Sequence, residues 1–304
     1  MVWVRRRIVD NRVYYEMRHD YRINGKDRCA TKYIGNVIPD NIDQMKRDFL
    51  EKVNNDVFSG IFSCLKGKEE IYLPSNKKAK RNQHPTGFGI YFTFVSQRIS
   101  GSSIPLLETI RLIENGRKKW ERPFAEAIEA QVHYEIFQSM LQNQENLSEK
   151  LLIDWHWKLF RRSNPRIAGL LRERDPSGTG GKEFPAFTKV PKMLDDFFTW
   201  YSKAENELNP VLLAGLVHSR LSLIRPFDDG NGRIRRLATN LVLHRNGYPM
   251  FSFGERQVER SGYEKALEID MKTGNGGELL KWLTLWYKKR YLSMATNAPE
   301  KHSS

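Results

Sequence analysis

Residues 225–236 bring together groups that bind phosphate and a divalent metal. They read Arg-Pro-Phe-Asp-Asp-Gly-Asn-Gly-Arg-Ile-Arg-Arg. The turn Gly230-Asn231-Gly232 can present successive backbone N–H groups as an anion-binding nest, and a helix beginning at Gly232 would add its positive N-terminal end. Arg233 and Arg236 lie one helical turn apart, so both can face the same anion. The stretch therefore predicts a site for a nucleotide polyphosphate.

Two further residues complete this predicted site. Asp229 is placed to hold a metal ion that bridges phosphate oxygens, since Mg²⁺ prefers such a carboxylate together with waters. Phe227 is expected to point the other way and to anchor the loop in the core. Taken one at a time, these residues favour a plain helix–turn–helix connector with solvated arginines. The combination over twelve positions favours the phosphate site.

The stretch resembles the motif of the Fic (Fido) family, His-x-Phe-x-Asp/Glu-Gly-Asn-Gly-Arg-x-x-Arg. Phe227, residues 229–233 and Arg236 match it. The resemblance extends over about residues 88–290 and leaves the N-terminal 84 residues outside. It implies a mainly α-helical fold with a flap hairpin. It also implies transfer of AMP from Mg-ATP to hydroxyl groups of target proteins.

The resemblance implies a role for each matching residue. Asp229 would hold Mg²⁺, the Gly230-Asn231-Gly232 turn and Arg233 would hold phosphates, and Arg236 would meet the terminal phosphate. Gly232 stands where one branch of the family has lysine, which favours transfer of AMP over transfer of phosphate. Tyr263 is expected to help line the adenine pocket. The flap, residues 172–189, would dock a target protein by strand addition.

The first departure from the motif is Arg225, which occupies the position of the catalytic histidine. A guanidinium group cannot release a proton near neutral pH, so Arg225 cannot be a general base. Losing such a base typically lowers the rate by about 10²- to 10⁴-fold, and we expect weak or absent activity. Arg225 either binds a phosphate or a target carboxylate, or merely fills the space. His218 on the preceding helix is a candidate replacement, although a packed core histidine is the favoured interpretation.

The second departure lies upstream, in Ser96-Gln-Arg-Ile-Ser-Gly101. Many Fic proteins carry an inhibitory helix that reads Ser/Thr-x-x-x-Glu-Gly/Asn, and its glutamate pairs with the second motif arginine. Ser96 and Gly101 fit this frame, but Ser100 stands in place of the glutamate. We therefore expect Arg236 to be free for nucleotide. Relaxed constraint on a non-catalytic relative and deliberate substitution would both produce this pair of changes.

The elements that would position the site are mainly helices. We predict a basic β-meander plus helix over residues 1–65, a connector over 66–87, the Fic domain over 88–294 and a frayed tail over 295–304. Turn signals at Asp10-Asn11 and Asn24-Gly25 separate three strands, and Asp40 is a plausible N-cap of a helix to about Val53. Apolar periodicity predicts nine further helices over residues 88–99, 104–114, 123–142, 149–162 (capped by Ser148), 190–203, 211–223, 232–245, 263–271 and 278–294.

A glycine-rich segment, residues 175–182, could be mistaken for a phosphate-binding P-loop. Pro176 stands where the first glycine should be, and Glu183 follows the lysine where serine or threonine is required. We therefore interpret it as the tip of the flap.

Composition and net charge limit the possible partners and location of the protein. The 304 residues carry a net charge of +14, and residues 1–84 hold 18 basic against 11 acidic side chains. This excess raises the prospect of an acidic or nucleic-acid partner, the alternative being a solvated basic surface. Two cysteines, Cys29 and Cys64, are too few for a disulfide framework. With no secretory signal and no membrane-length apolar run, we expect a cytoplasmic protein without a membrane partner.

Two classes of function stay open at this point. The favoured one is an ATP- and Mg²⁺-binding Fic protein of the AMP-transferring type with weak or absent activity. The other is a non-catalytic scaffold that binds nucleotide or nucleic acid through its basic N-terminal region. The target protein and the oligomeric state, a homodimer included, are also left open.

Overall fold

The structure is a computed structural model. It describes residues 2–23, 26–67, 85–115, 124–142, 145–176, 184–253, 257–273, 277–287 and 289. The Asn24-Gly25 turn, most of the predicted connector, the flap tip and the predicted tail lie outside these residues. The chain divides into two compact units, Met1–Cys64 and Leu65–Ser304.

The first unit is a three-stranded antiparallel sheet with one helix. Strands β1 (Val2–Val9), β2 (Arg12–Ile23) and β3 (Lys26–Gly35) lie in the order β1-β2-β3. Asp10 and Asn11 have φ angles of 48° and 62°, which suit a tight two-residue hairpin turn. Helix α1 (Ile42–Phe62) packs on one face, where Met17, Phe49 and Val53 form a small core. The predicted meander and helix are confirmed.

The start and the length of α1 differ from the prediction. The residue before the helix is Asn41, without a side-chain cap, and the helix continues to Phe62 rather than Val53. The backbone closes this end instead, because Ile42 N donates to the Pro39 carbonyl at 3.1 Å. Asp40 is therefore not the N-cap.

The second unit is helical. Its helices are α2 (Pro85–Ile99), α3 (Leu106–Asn115), α4 (Phe124–Gln142), α5 (Glu149–Phe160), α6 (Val190–Glu207), α7 (Pro210–Ile224), α8 (Asn231–Arg245), α9 (Gln257–Thr273) and α10 (Gly277–Tyr287). Each predicted helix is present with ends that differ by a few residues, except that residues 288 and 290–294 of the last predicted helix lie outside the described residues. Ser148 caps α5 by accepting from Leu151 N at 3.2 Å. Among the described residues, none of the helices is long and apolar enough to cross a bilayer.

Helices α7 and α8 form the centre of this unit and position residues 225–230 between them. Twelve residues of α7 and eleven of α8 are buried, so apolar side chains surround both helices rather than lining one stripe. Asn209 caps α7 through Val211 N at 3.0 Å. The loop between the two helices is thus held at both ends by rigid, buried elements.

The flap segment differs from a hairpin in its described part. Residues 166–176 and 184–186 form no strand, and Phe187–Lys189 is a short 3-10 helix. Side-chain hydrogen bonds, rather than a backbone ladder, join the two limbs of the segment, residues 166–176 and 184–189. Arg172 donates to the Pro185 carbonyl at 2.5 Å, and Asp175 accepts from Phe187 N at 2.7 Å. Pro185 lacks the N–H that a strand would use, so the flap hairpin prediction is wrong for these residues.

Candidate nucleotide-binding site

The α7–α8 loop turns because of one glycine and one asparagine. Gly230 has a φ of 74°, and a Cβ there would lie 2.5 Å from the Phe160 ring, so only glycine fits. Asn231 closes the loop with both ends of its amide: Oδ1 accepts from Phe227 N at 2.9 Å, and Nδ2 donates to the Phe227 carbonyl at 2.6 Å. The side chain of Asn231 therefore shapes the loop.

Phe227 anchors the loop in the core, as predicted. Its side chain is buried and stacks on His156 with ring centroids 3.9 Å apart. His156 accepts from Gly169 N through Nδ1 at 3.0 Å, so its proton sits on Nε2, which donates to the Asp229 carbonyl at 3.2 Å. Burial lowers the pKa of His156 to about 4. Sequence analysis missed His156 because no local pattern marks it.

A cavity of about 330 Å³ opens against the start of α8, within the size range of ligand pockets. Its walls include the loop residues Asp229, Gly230, Asn231 and Gly232, and the guanidinium-bearing residues Arg225, Arg235 and Arg236. Helix α8 therefore presents its N-terminal end to the cavity, together with three cationic side chains. Tyr263 and Ser100 also line it.

The two motif arginines have different surroundings. The Arg233 guanidinium is buried, forms an ion pair with Glu129 and contacts Asp229 Oδ2 at 3.4 Å. Among the described residues the cavity wall carries Arg236 and Arg235 instead of Arg233. Arg235, which sequence analysis missed, therefore lines the cavity beside Arg236, whereas Arg233 pairs with Glu129 and Asp229.

Arg236 is fully buried and bound by the helix that carries Ser96. Its Nε donates to Ser96 Oγ at 2.9 Å, and its Nη2 donates to the Ser96 carbonyl at 2.7 Å and to Ser100 Oγ at 2.8 Å. Arg236 thus has no carboxylate partner at position 100, although the Ser100 hydroxyl still accepts a hydrogen bond from it; its availability to a nucleotide stays a prediction. Gly101 follows in the left-handed region with a φ of 96°. Burial lowers the pKa of Arg236 to about 10, and it stays cationic at neutral pH.

Arg225 ends α7 in the left-handed conformation, with a φ of 46°. Its guanidinium carbon lies 4.7 Å from the centroid of the Phe184 ring, and its buried Nε has no hydrogen-bond partner among the described residues. Burial lowers the pKa of Arg225, and the nearby Arg235 lowers it further. Arginine nevertheless remains protonated in proteins, so a cation occupies this wall of the cavity.

His218 is a packed core histidine, as favoured by the sequence analysis. Thr239 donates its hydroxyl to the Arg235 carbonyl and so accepts from His218 Nδ1 at 2.8 Å. His218 Nε2 then accepts from the Tyr263 hydroxyl at 2.8 Å and from Arg235 Nε at 3.2 Å. Both ring nitrogens are engaged, and burial lowers the pKa of His218 well below its usual value.

Comparison with known proteins relates the sequence around this site to a family. Residues 146–243, which contain α5 to α8 and the loop, match the model of the Fic/DOC family. This part of the chain is therefore similar to the Fic/DOC family domain. The match to the family model agrees with the motif in residues 225–236 and with the mainly helical fold around it.

Relatives of the Fic domain are found among animal proteins. The chain is 26% identical over 216 residues to "Protein adenylyltransferase Fic" of Nematostella vectensis, covering 68% of this chain and 47% of that protein. It is 30% identical over 187 residues to the protein of the same name from Drosophila grimshawi, covering 59% of this chain and 38% of that protein. The chain thus spans less than half the length of these relatives.

Solved structures show the same fold. A Fic domain-containing signalling protein from Bacteroides thetaiotaomicron superposes with a TM-score of 0.56 at 22% identity, over 72% of this chain and 91% of that chain. Fic-1 from C. elegans superposes with a TM-score of 0.61 at 19% identity, over 84% and 77%. The Fic fold therefore extends beyond the matched residues 146–243.

Proposed function

We propose that this protein binds Mg-ATP in the cavity at the start of α8 and transfers AMP to protein hydroxyl groups weakly or not at all. The observation that carries the proposal is that residues 229–232, at the start of α8, line a cavity whose wall includes three arginines. Backbone N–H groups at a helix start and guanidinium groups are the partners that a phosphate chain needs.

The charges of the cavity support a polyphosphate. Three carboxylates also line it, but Glu264 pairs with Arg260 at 2.8 Å and Glu268 pairs with Lys272 at 2.9 Å. The third, Asp229, has a side chain that is 69% exposed. The cationic groups Arg225, Arg235 and Arg236 therefore dominate the part of the wall that the loop forms.

Asp229 fits the requirement for a magnesium ligand. Mg²⁺ is usually held by one or two carboxylates together with substrate phosphates and waters. Asp229 is an exposed carboxylate beside the loop amides, and the described residues contain no larger cluster of metal-ligating side chains. Asp229 would hold the ion, which neutralises phosphate charge when bound.

The residues explain why transfer would be slow. In AMP transfer a target hydroxyl oxygen bonds to the α-phosphorus, the bond toward the β-phosphate breaks, pyrophosphate leaves and the hydroxyl proton must pass to a base. Arg225 occupies the position from which that proton would be accepted, and it is already protonated. The relatives named protein adenylyltransferase suggest the reaction class. Without a base at position 225, the protein would act as a nucleotide-binding Fic protein.

Calorimetric titration with Mg-ATP tests the binding part of this proposal. We expect saturable binding by the full chain, weakened about tenfold or more by Arg235→Ala, since a hydrogen bond to a charged group contributes about 1.5–3 kcal/mol. Arg162→Ala removes an exposed arginine outside the cavity and should leave the affinity unchanged. Absence of binding by the folded protein, or an equal loss in both variants, would refute the site.

A further inference from the structure

The sheet of the N-terminal unit has one face that carries aromatic rings and arginines. Side chains alternate along a strand, so the residues that alternate with the α1-facing Val2 and Met17 lie on the opposite face. Strand pairing places Trp3 opposite Arg18, Arg5 opposite Glu16, and Arg7 opposite Tyr14. We call this surface the aromatic–arginine face; its members are Trp3, Arg5, Arg7, Arg12, Tyr14, Arg18 and Tyr33.

The rings of this face are accessible. Trp3 is 40% and Tyr33 62% exposed, although large aromatic residues usually bury most of their surface. Tyr14 lies beside Tyr33 with ring centroids 6.0 Å apart, and the Arg18 guanidinium carbon lies 6.0 Å from the Trp3 ring centroid. Exposed rings flanked by guanidinium groups form a stacking platform rather than a core.

The charge of the face is positive around the rings. Its members include four arginines, and the strand register also places three carboxylates on this face: Glu16, which pairs with Arg7 at 3.4 Å, Asp20 and Asp27. Arg18 pairs with Asp20 at 3.0 Å, and their side chains are 31% and 49% exposed, so this surface ion pair contributes little. Arg5, Arg7 and Arg12 are exposed. An anionic ligand would therefore find guanidinium groups on both sides of the rings.

We propose that the aromatic–arginine face binds single-stranded nucleic acid. Bases stack on Trp3 and Tyr33, and phosphates contact Arg5, Arg7 and Arg12. Proteins that bind unpaired strands combine a cationic track with aromatic rings on which successive bases stack. A duplex keeps its bases stacked on each other, so it cannot use the rings. An acidic protein would use the charges but gain little from Trp3 and Tyr33.

Fluorescence anisotropy of labelled single strands tests the proposal with the full chain. We would use DNA and RNA strands of about 12 nucleotides, a length within the usual site size, and a duplex of the same sequence. Single strands should bind more tightly than the duplex. The double variant Trp3→Ala/Tyr33→Ala should lose at least about tenfold in affinity without any change in net charge. Trp3→Phe/Tyr33→Phe keeps two rings and should retain binding.

Two double variants that remove the same charge separate phosphate contacts on this face from general electrostatic attraction. Arg5→Ala/Arg7→Ala should reduce the slope of log affinity against log salt by about 1.4, since each phosphate contact to a single strand contributes about 0.7. Lys46→Ala/Arg47→Ala removes the same charge from α1 and should leave the slope unchanged. Preferential duplex binding, no binding at about 50 mM salt, or equal effects of the two charge pairs would overturn the proposal. Preference between DNA and RNA identifies which strand is the ligand.

Discussion

The Arg172 guanidinium donates from Nε to the carbonyl oxygen of Arg225 at 2.9 Å. The backbone repeats this connection, because Arg172 N donates to the Pro226 carbonyl at 2.9 Å. The same guanidinium also bonds to the Pro185 carbonyl. Arg172 thus joins both limbs of the flap segment to the loop before α8: its side chain contacts the Arg225 and Pro185 carbonyls, and its backbone N–H contacts the Pro226 carbonyl.

Arg172→Ala should therefore destabilise the protein more than any exposed substitution nearby. It leaves the carbonyls of Arg225, Arg174 and Pro185 without this donor and removes a buried side chain, and we expect a loss of about 3 kcal/mol in the free energy of unfolding. Urea denaturation measures it. Arg174→Ala is the control, since the Arg174 side chain is 79% exposed, and it should change stability by less than about 0.5 kcal/mol. Equal effects would show that the contacts of Arg172 carry no net stability.

Gly230→Ala should unfold the loop. The added Cβ would meet the Phe160 ring at 2.5 Å, and the φ of 74° is unfavourable for alanine. We expect a loss of about 2–4 kcal/mol. Gly67→Ala is matched in backbone, with a φ of 77°, but its Cβ would meet nothing within 4 Å. The difference between the two variants in thermal unfolding isolates the contact with Phe160, and no difference would contradict the tight approach.

His156 makes stability depend on pH in a defined window. Its pKa is about 4 in the folded protein and about 6.5 in the unfolded chain. Between these two pH values the unfolded state binds one proton more than the folded state. The free energy of unfolding therefore falls as the pH drops from about 6.5 to 4. The shift corresponds to about 3 kcal/mol. His156→Gln should be less stable than the native protein at pH 7, with a difference that narrows toward pH 4; parallel stability curves would contradict this.

Ser100→Glu should weaken ATP binding. The new carboxylate would lie beside Arg236, which already bonds to Ser100 Oγ at 2.8 Å, and an ion pair there would hold the guanidinium away from phosphate. We expect affinity for Mg-ATP to fall about tenfold or more. Ser100→Gln introduces the same length without the charge and should have a smaller effect. Calorimetry compares the two, and equal affinities would show that charge at position 100 does not control the site.

The sequence predicted those parts of the fold and site whose determinants are local. Ser148 predicts the start of α5, because a helix cap involves only residues three positions apart. The motif likewise predicted that Asp229 and Gly230 lie at the cavity. His156 and Arg172 escaped prediction because their partners lie far away in the chain and depend on the assembled fold. The partner of Arg233 escaped for the same reason, since Glu129 approaches it from α4, whereas the resemblance had already pointed to the helix of Ser96 as the neighbour of Arg236.

AMP transfer by Arg225→His is the most direct measurement of the central claim. Labelled AMP from Mg-ATP would be followed on the protein itself and on a mixture of protein substrates, beside the native chain and Arg225→Gln, with ATP affinity measured for each. We predict that the histidine variant gains at least about 10²-fold in transfer rate, whereas native chain and glutamine variant stay near background. An unchanged rate in a folded, ATP-binding Arg225→His protein would contradict the assignment of residue 225 as the position of the missing base.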